Sequence, residues 1–374
     1  MSSTFAFRVD ASLRMGSGHL MRCLTLADAL RAAGAACHFI TREHPGHLIA
    51  HISQRGHRLS VLPGADDNVG EASAGPAHAA WLGATWAEDA RQTAEALGAA
   101  GTDWLVVDHY AIERRWEQRL AGHCRHLMVI DDLADRAHVC DLLLDQNLGR
   151  RPEDYQSLVP SDCKRLIGPG FALLRPEFAT WRLRSLADRE QRPLRNLLIS
   201  MGGMDRPNAT GMILGSLHPL MRQHDRIQVV MGSTAPWLES VQAQAGEMPC
   251  PTEVLVDTPA MAKLMAGCDL AIGAAGSTSW ERCCLGVPSV MVILADNQRA
   301  VAEHLRNAGA ALLIESPQQI ASALPACLDQ LRAPGSLKQM ARAAAAITDG
   351  QGTGRVLQAL IRLTENPHAQ PETT

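Results

Sequence analysis

The strongest constraint on this chain is a unit that occurs early and then recurs: a short apolar strand, a loop of small residues, and a helix. The first copy spans residues 5–30, FAFRVDASLRMGSGHLMRCLTLADAL. Residues 5–9 predict a strand. Gly16, Ser17 and Gly18 form the loop. Leu20, Cys23, Leu24, Ala27 and Leu30 then recur at near-helical spacing. Glycine lets a ligand approach the backbone, and a helix N-terminus favours negative charge, so such a unit can hold an anion. His19 stands at the helix start, where an imidazole can reach a bound ligand. It also has a plain reading, as a helix-start histidine that only caps or packs. The loop is neither a Walker A loop nor a complete dinucleotide fingerprint, so by itself it selects no ligand.

The same rhythm continues. Strands are expected at 36–40, 58–62, 103–108, 126–130 and 141–144, with helices at 47–55, 86–99 and 114–120 and a loop at 65–78. Polar residues follow the strand ends: His109 and Tyr110, then Asp131 and Asp132, then Asp145, Gln146 and Asn147. This alternation predicts a parallel sheet with helices on both faces, and such sheets bind ligands at the carboxyl ends of their strands. A second copy of the unit opens at residue 195, where RNLLIS leads into the loop MGGMD and a helix over 208–220. Further strands are expected at 227–231, 252–256, 270–272 and 289–294. The helices between and after them are placed at 237–245, 259–266, 300–307 and, with breaks, 317–348. The Arg-rich stretch 180–195 reads as a solvated helix and linker. The expectation is an N-terminal α/β domain over 1–180, a C-terminal α/β domain over 195–365 and a disordered tail over 366–374.

Length and charge narrow the function. At 374 residues the chain suits about two domains, and hydrophobic residues at 46% suffice for two ordinary cores. A net charge of −4 offers no polyanion-binding surface, so nucleic acid is not an expected partner. The N-terminal MSSTFAFRVDAS lacks a basic region followed by a long apolar core, so no secretory signal is expected. No apolar run approaches the roughly 20 residues of a membrane span. A soluble, cytoplasmic protein is expected. Ten dispersed cysteines without a CxxC spacing read as packed thiols rather than metal ligands.

The most informative stretch is residues 269–298, DLAIGAAGSTSWERCCLGVPSVMVILADNQ. Small residues before a helix, here Gly276, Ser277 and Thr278, can leave N–H groups for a diphosphate. Glu281, about one turn into that helix, can accept two hydrogen bonds from ribose hydroxyls. The plain alternative is a tight strand–helix turn, with Glu281 as a first-turn partner of the helix dipole. Other acids also have two readings. Asp10 either orients His19 or lines a sugar site, or it caps a strand-end turn. Asp131 and Asp132 resemble a carboxylate metal pair, but no further ligands accompany them, and strand-end acids are often caps. Arg14 either meets phosphate or is solvated.

Taken together, these segments resemble the UDP-2,4-diacetamido-2,4,6-trideoxy-β-L-altropyranose hydrolases of pseudaminic acid biosynthesis, the PseG family. The resembling stretches are FRVDASLRMGSGHLMRCLTLADAL, VVDHY, IDDLADRAHVCDLLLDQN, FALLRPEF, ISMGG and AIGAAGSTSWERCCLGVPSVMVILADNQ. They run in order from about residue 5 to residue 307. The resemblance implies a GT-B-like fold, two doubly wound Rossmann-like domains facing a deep cleft, with water in place of a sugar acceptor. It implies that His19 is the catalytic base, that Arg175 binds substrate, and that Glu281 holds the nucleotide. Tyr110, Asn297 and Gln298 would line the cleft. It implies a UDP-sugar substrate, no cofactor and no metal, and a place upstream of flagellin glycosylation. Oligomeric state is left open. A GT-B glycosyltransferase and a non-catalytic nucleotide-sugar binding protein are the competing functions.

Overall fold

In the computed structural model, which describes residues 3–64, 75–189 and 192–365, two compact units emerge. The loop expected over 65–78 lies outside the described residues as far as position 74, and the tail 366–374 lies outside them entirely. The first unit is built from residues 1–173 together with 352–374, and the second from residues 174–351.

The strands of the first unit are β1 (Thr4–Val9), β2 (Ala36–Arg42), β3 (Arg58–Leu62), β4 (Thr102–Asp108), β5 (Cys124–Ile130), β6 (Leu142–Asp145) and β7 (Lys164–Ile167). They form a parallel sheet in the order β3-β2-β1-β4-β5-β6-β7. Its helices include α1 (Gly18–Ala32), α2 (Ile49–Gln54), α3 (Trp86–Leu97) and α4 (Arg114–Leu120). Both sheet faces are buried, which is why the central strands read as apolar runs. Side chains alternate along β1: Phe5, Phe7 and Val9 enter one core with Leu20, Leu24 and Leu30 of α1, while Ala6 enters the other with Ala90, Trp116 and Leu120. α1 is more deeply buried than its amphipathic spacing suggested, because His19, Arg22 and Thr25 are buried as well.

The strands of the second unit are β8 (Asn196–Ser200), β9 (Arg226–Met231), β10 (Thr252–Val256), β11 (Leu270–Ala274), β12 (Ser289–Val292) and β13 (Ala311–Ile314). They form a parallel sheet in the order β10-β9-β8-β11-β12-β13. The helices are α5 (Pro176–Asp188), α6 (Ala209–Leu217), α7 (Leu238–Gly246), α8 (Met261–Gly267), α9 (Thr278–Cys284), α10 (Arg299–Asn307), α11 (Ile320–Arg332) and α12 (Ser336–Ala345).

Two expectations about domain limits are corrected. The C-terminal helix Gly352–Glu365 belongs to the first unit, not to the C-terminal domain. Val356, Ala359 and Leu360 sink into the core beneath α1 and β1, and the Trp104 indole N–H donates to Thr364 Oγ1 at 2.8 Å. Burying the Val and Leu side chains stabilises by about 1.5–3 kcal/mol each, enough to hold a single helix. The stretch 180–195 is not a solvated linker. α5 is a helix of the second unit, and its arginines close the C-termini of other helices. Arg189 donates to Met265 O at 2.7 Å, Cys268 O at 2.8 Å and Leu285 O at 3.0 Å, and Arg182 donates to Ala345 O at 2.8 Å. Those carbonyls lack partners within their own helices, and a cation there also meets the negative end of the dipole. No described helix is long and apolar enough to cross a membrane.

Candidate active site

In each unit the strand order reverses between two neighbouring strands, β1 and β4 in the first and β8 and β11 in the second. Crossovers leave in opposite directions there, and sheets of this kind bind ligands at that point. In the first unit the chain leaving β1 makes a closed turn. Gly16 N–H donates to Ser12 O at 2.8 Å, and Ser12 Oγ accepts from Met15 N–H at 3.0 Å. Gly16 sits at φ +76°, a conformation a side chain would oppose, with nothing within 4 Å of where a Cβ would stand. The turn delivers His19 into the first turn of α1.

There His19 Nδ1 meets Asp108 Oδ1 at 2.6 Å. Asp108 ends β4 and is wholly buried. Arg22, three residues after His19 and so on the same helix face, donates to Asp108 Oδ2 at 2.6 Å and Oδ1 at 2.7 Å. It also donates to both oxygens of Asp132, at 3.0 and 2.8 Å. Burial works to raise the Asp108 carboxyl, but Arg22 and His19 outweigh it and hold the group well below the usual carboxylate range. An ionised Asp108 accepts the Nδ1–H of His19, which makes Nε2 the acceptor nitrogen of the neutral ring. Tyr110 completes the group. Its ring meets His19 edge-on at 4.6 Å, and its hydroxyl donates to Asp132 Oδ2 at 2.8 Å. Burial and the Asp132 charge push its phenol well up, so it stays protonated.

The reading of Asp10 as the group that orients His19 or lines the sugar site is corrected. Asp10 has no exposed surface. It accepts from Arg8 at 2.6 Å, Arg42 N–H at 2.7 Å and Thr41 Oγ1 at 3.1 Å. Arg8 and Arg42 in turn reach Asp89 of α3, at 2.7 and 2.6 Å. Two buried cations and two buried anions neutralise each other and pin β1, β2 and α3 together. Asp131 and Asp132 are likewise engaged with arginines, Asp131 with Arg136 at 2.8 Å and Asp132 with Arg22. Arg14 is exposed.

The second unit is built differently. After β8, Asp205 accepts from Ala209 N–H at 2.9 Å and Thr210 N–H at 2.8 Å, and Asn208 from Gly211 N–H at 3.1 Å, so α6 is capped by its own loop. After β11, Gly276, Ser277 and Thr278 lead into α9, and Ser277 makes no side-chain cap bond. Gly273 is required by close approach: a Cβ there would stand 2.3 Å from the Arg282 guanidinium and 3.0 Å from Ser200 O. Arg282 is buried beneath the loop and donates to Ala274 O at 2.9 Å. Glu281 lies 3.9 Å from Arg175, whose other nitrogen is 2.8 Å from Glu177. Burial raises the Glu281 carboxyl to about 7, with Arg175 and Arg282 pulling the other way. Arg175 thus belongs with Glu281 in the second unit, although the boundary expected at 180 assigned it to the first. Asn297 is exposed on the turn after β12, and Gln298 folds back so that its Oε1 accepts from Leu294 N–H at 3.0 Å.

His19 and Tyr110 are therefore brought together, as are Arg175 and Glu281. Asp108 and Arg22, which the structure joins to His19, were not anticipated as site residues. For Asp108 the signal was its place at the end of the strand DWLVVD, and for Arg22 its spacing of three from His19.

The chain is similar to several known proteins. Residues 212–352 match the glycosyltransferase family 28 C-terminal domain. The chain is 26% identical over 305 residues to the UDP-2,4-diacetamido-2,4,6-trideoxy-β-L-altropyranose hydrolase of Campylobacter jejuni, covering 81% of this chain and 96% of that protein. In structure it is similar to MurG of Acinetobacter baumannii, with a TM-score of 0.66 at 16% identity over 96% of this chain and 99% of that one. It is also similar to the calicheamicin glycosyltransferase CalG4, with a TM-score of 0.65 at 15% identity over 99% of this chain and 100% of that one. The resemblance to the hydrolases read from the sequence motifs holds over most of both chains, and the fold is that of the GT-B proteins.

Proposed function

We propose that this protein hydrolyses a UDP-sugar, UDP-2,4-diacetamido-2,4,6-trideoxy-β-L-altropyranose, to UDP and the free sugar in pseudaminic acid biosynthesis. The carrying observation is the His19–Asp108 pair at the switch point of the first unit, in a chain similar over 81% of its length to a hydrolase of that substrate. His19 Nε2 takes a proton from water as the water oxygen bonds to the anomeric carbon. The bond from that carbon to the diphosphate oxygen breaks, and its electron pair leaves with UDP. Asp108 stabilises the imidazolium that forms, and Arg22 holds Asp108 in place. Attack opposite the leaving group inverts the anomeric centre. In the second unit Glu281 accepts from ribose hydroxyls, and the loop Gly276–Thr278 faces the diphosphate. Arg175, Asn297 and Gln298 complete substrate binding.

A second reading, transfer of the sugar to an acceptor, is favoured by the match of residues 212–352 to a glycosyltransferase domain. Proton NMR of the protein with the UDP-sugar separates the two. Hydrolysis releases free sugar and UDP in water alone, whereas a transferase stays idle until an acceptor is added. In H₂¹⁸O the label is expected in the sugar, and label in the phosphate would overturn the proposed bond cleavage. Activity is expected to survive excess EDTA, because the strand-end acids Asp131 and Asp132 are paired with arginines.

A further inference from the structure

Beside Tyr110 the first unit carries two further rings, His78 and Trp81, that the chemistry above does not use. The 3-10 turn Ala79–Leu82 follows His78 and precedes α3. Leu82 is buried in the core with Ala90 and Leu97, and Gly83 at φ +68° ends the turn. Trp81, next to this anchor, is half-buried and stacks on Tyr110, with ring centroids 5.8 Å apart and planes 26° from parallel. His78 lies 4.4 Å from the Trp81 ring and 5.4 Å from the Tyr110 ring. Tyr110 in turn meets His19 at 4.6 Å. Burial lowers the His78 imidazole below its ordinary value, with Arg136 and His19 acting in the same direction and Asp135 against them. At neutral pH the group therefore presents uncharged ring faces next to the base.

We propose that Trp81 and His78 form, with Tyr110, an aromatic shelf that receives the apolar face of the sugar and selects deoxy, N-acylated hexoses. The proposal rests on the UDP-sugar hydrolase reading above. Such a sugar carries a C6 methyl and two acetamido methyl groups, which gain from contact with ring surface, whereas a 6-hydroxyl would lose its water there. Tyr110 cannot present this surface alone: its hydroxyl is tied to Asp132 and it is nearly buried. Trp81 supplies the area, at little entropic cost because its neighbour Leu82 fixes the turn.

The test is a KM-against-kcat split in Trp81→Ala, with Trp81→Phe as the conservative variant and UDP affinity by calorimetry as control. For UDP-2,4-diacetamido-2,4,6-trideoxy-β-L-altropyranose, Trp81→Ala is expected to raise KM about tenfold or more, comparable to losing a hydrophobic pocket contact. kcat should change less and UDP affinity not at all, and Trp81→Phe should recover most of the loss. Discrimination against UDP-N-acetylglucosamine should fall in the same variant. An unchanged KM, or a KM and UDP affinity that weaken together, overturns the shelf. If Trp81→Ala fails to fold, Trp81→Phe and His78→Ala are read the same way. If the wild-type protein releases no UDP, the hydrolase reading fails instead. The shelf is then judged by saturation-transfer NMR with free 2,4-diacetamido-2,4,6-trideoxy-L-altropyranose. Its methyl signals should respond with wild type and not with Trp81→Ala, and a response with both overturns it.

Discussion

The two switch points are built on the same topology and solve opposite problems. Around β1 and β4 the site is a closed set of charges: His19, Asp108, Arg22, Asp132 and Tyr110 touch one another in a chain of short bonds, and all but Asp132 are buried. Around β8 and β11 the site is sparse. One long Arg175–Glu281 approach at 3.9 Å and an uncapped helix start take the place of a network. The difference fits the two tasks proposed for them. A base must be held in one tautomer and one orientation before substrate arrives, since misplacement is costly in rate. A nucleotide site must instead leave its polar groups for the ligand, and a carboxyl without a close partner is the cost of that.

If the contrast is right, the largest effect comes from the preorganised side. His19→Asn should lower kcat by about 10²–10⁴-fold, the ordinary worth of a general base, and leave UDP affinity intact. Single-turnover rates and calorimetry on the same preparation check both halves. Retention of more than about a tenth of the rate would remove His19 from the mechanism.

Next comes Asp108→Asn, expected to cost about 10²-fold in kcat, since an amide can no longer enforce the Nδ1–H tautomer. Stability should fall as well, because Arg22 is left with half its anionic partners in a buried site. Asp10→Asn provides the control that divides the roles. It should destabilise through Arg8 while leaving His19 oriented, so kcat of the folded protein should stay near wild type. A rate loss in Asp10→Asn as deep as that in Asp108→Asn would merge the two carboxylates into one function.

On the sparse side, Glu281→Ala should weaken UDP by about 10- to 100-fold, the worth of about 1.5–3 kcal/mol for a hydrogen bond to a charged group. KM should rise more than kcat falls. Uridine, which has no phosphate to titrate, gives the sharper reading. With the carboxyl raised to about 7, its affinity should drop as pH falls through that value, because a protonated Glu281 loses an acceptor, and Glu281→Gln should flatten the curve. Unchanged UDP affinity would place the ribose elsewhere.

How much of this could be read from the chain follows the same divide. Strand–loop–helix order was legible, because strands buried on both faces leave apolar runs and the loops between them leave glycines. The places of His19 and Glu281 in the first turns of their helices were legible because each stands a fixed distance after a small-residue loop. Asp108 was visible as a strand-end acid but not as the partner of His19. That contact spans 89 positions and exists only because β4 lies beside β1. Asp10, nine residues before His19, was the nearer acid and the wrong one, since Arg8 two residues earlier claims it. The helix Gly352–Glu365 has a clear apolar face, but a face does not say which sheet it meets. The arginines of α5 look solvated by composition, and only the folded unit supplies the helix-end carbonyls they cap.

The smallest expected effect tests how far the charge network of the first unit extends. Tyr155, fully buried, places its hydroxyl 2.9 Å from Asp131 Oδ2 and 2.8 Å from Asp145 Oδ2. One O–H carries one proton and cannot donate to both. Asp131 takes it: burial would raise that carboxyl, but Arg136 and His138 hold it below its usual value. Asp145 is pushed up to about 7, first by burial and then by the charge of Asp132, with Asp131 adding to it, although Arg150 stands 3.2 Å away. Below that value Asp145 holds a proton of its own, which it can donate to the phenol oxygen. A carboxyl whose folded pKa is raised adds stability that is whole below the unfolded value, about 3.9, and is lost as pH rises through the folded one. The apparent Tm should thus fall between about pH 4 and pH 7 by an increment that Asp145→Asn removes, since an amide donates to Tyr155 at every pH. Neither kcat nor UDP affinity should move by more than about twofold, because Asp145 touches Tyr155 and Arg150 rather than His19. A Tm profile with the same slope in wild type and Asp145→Asn would show that the proton resides elsewhere and that the network ends at Asp132.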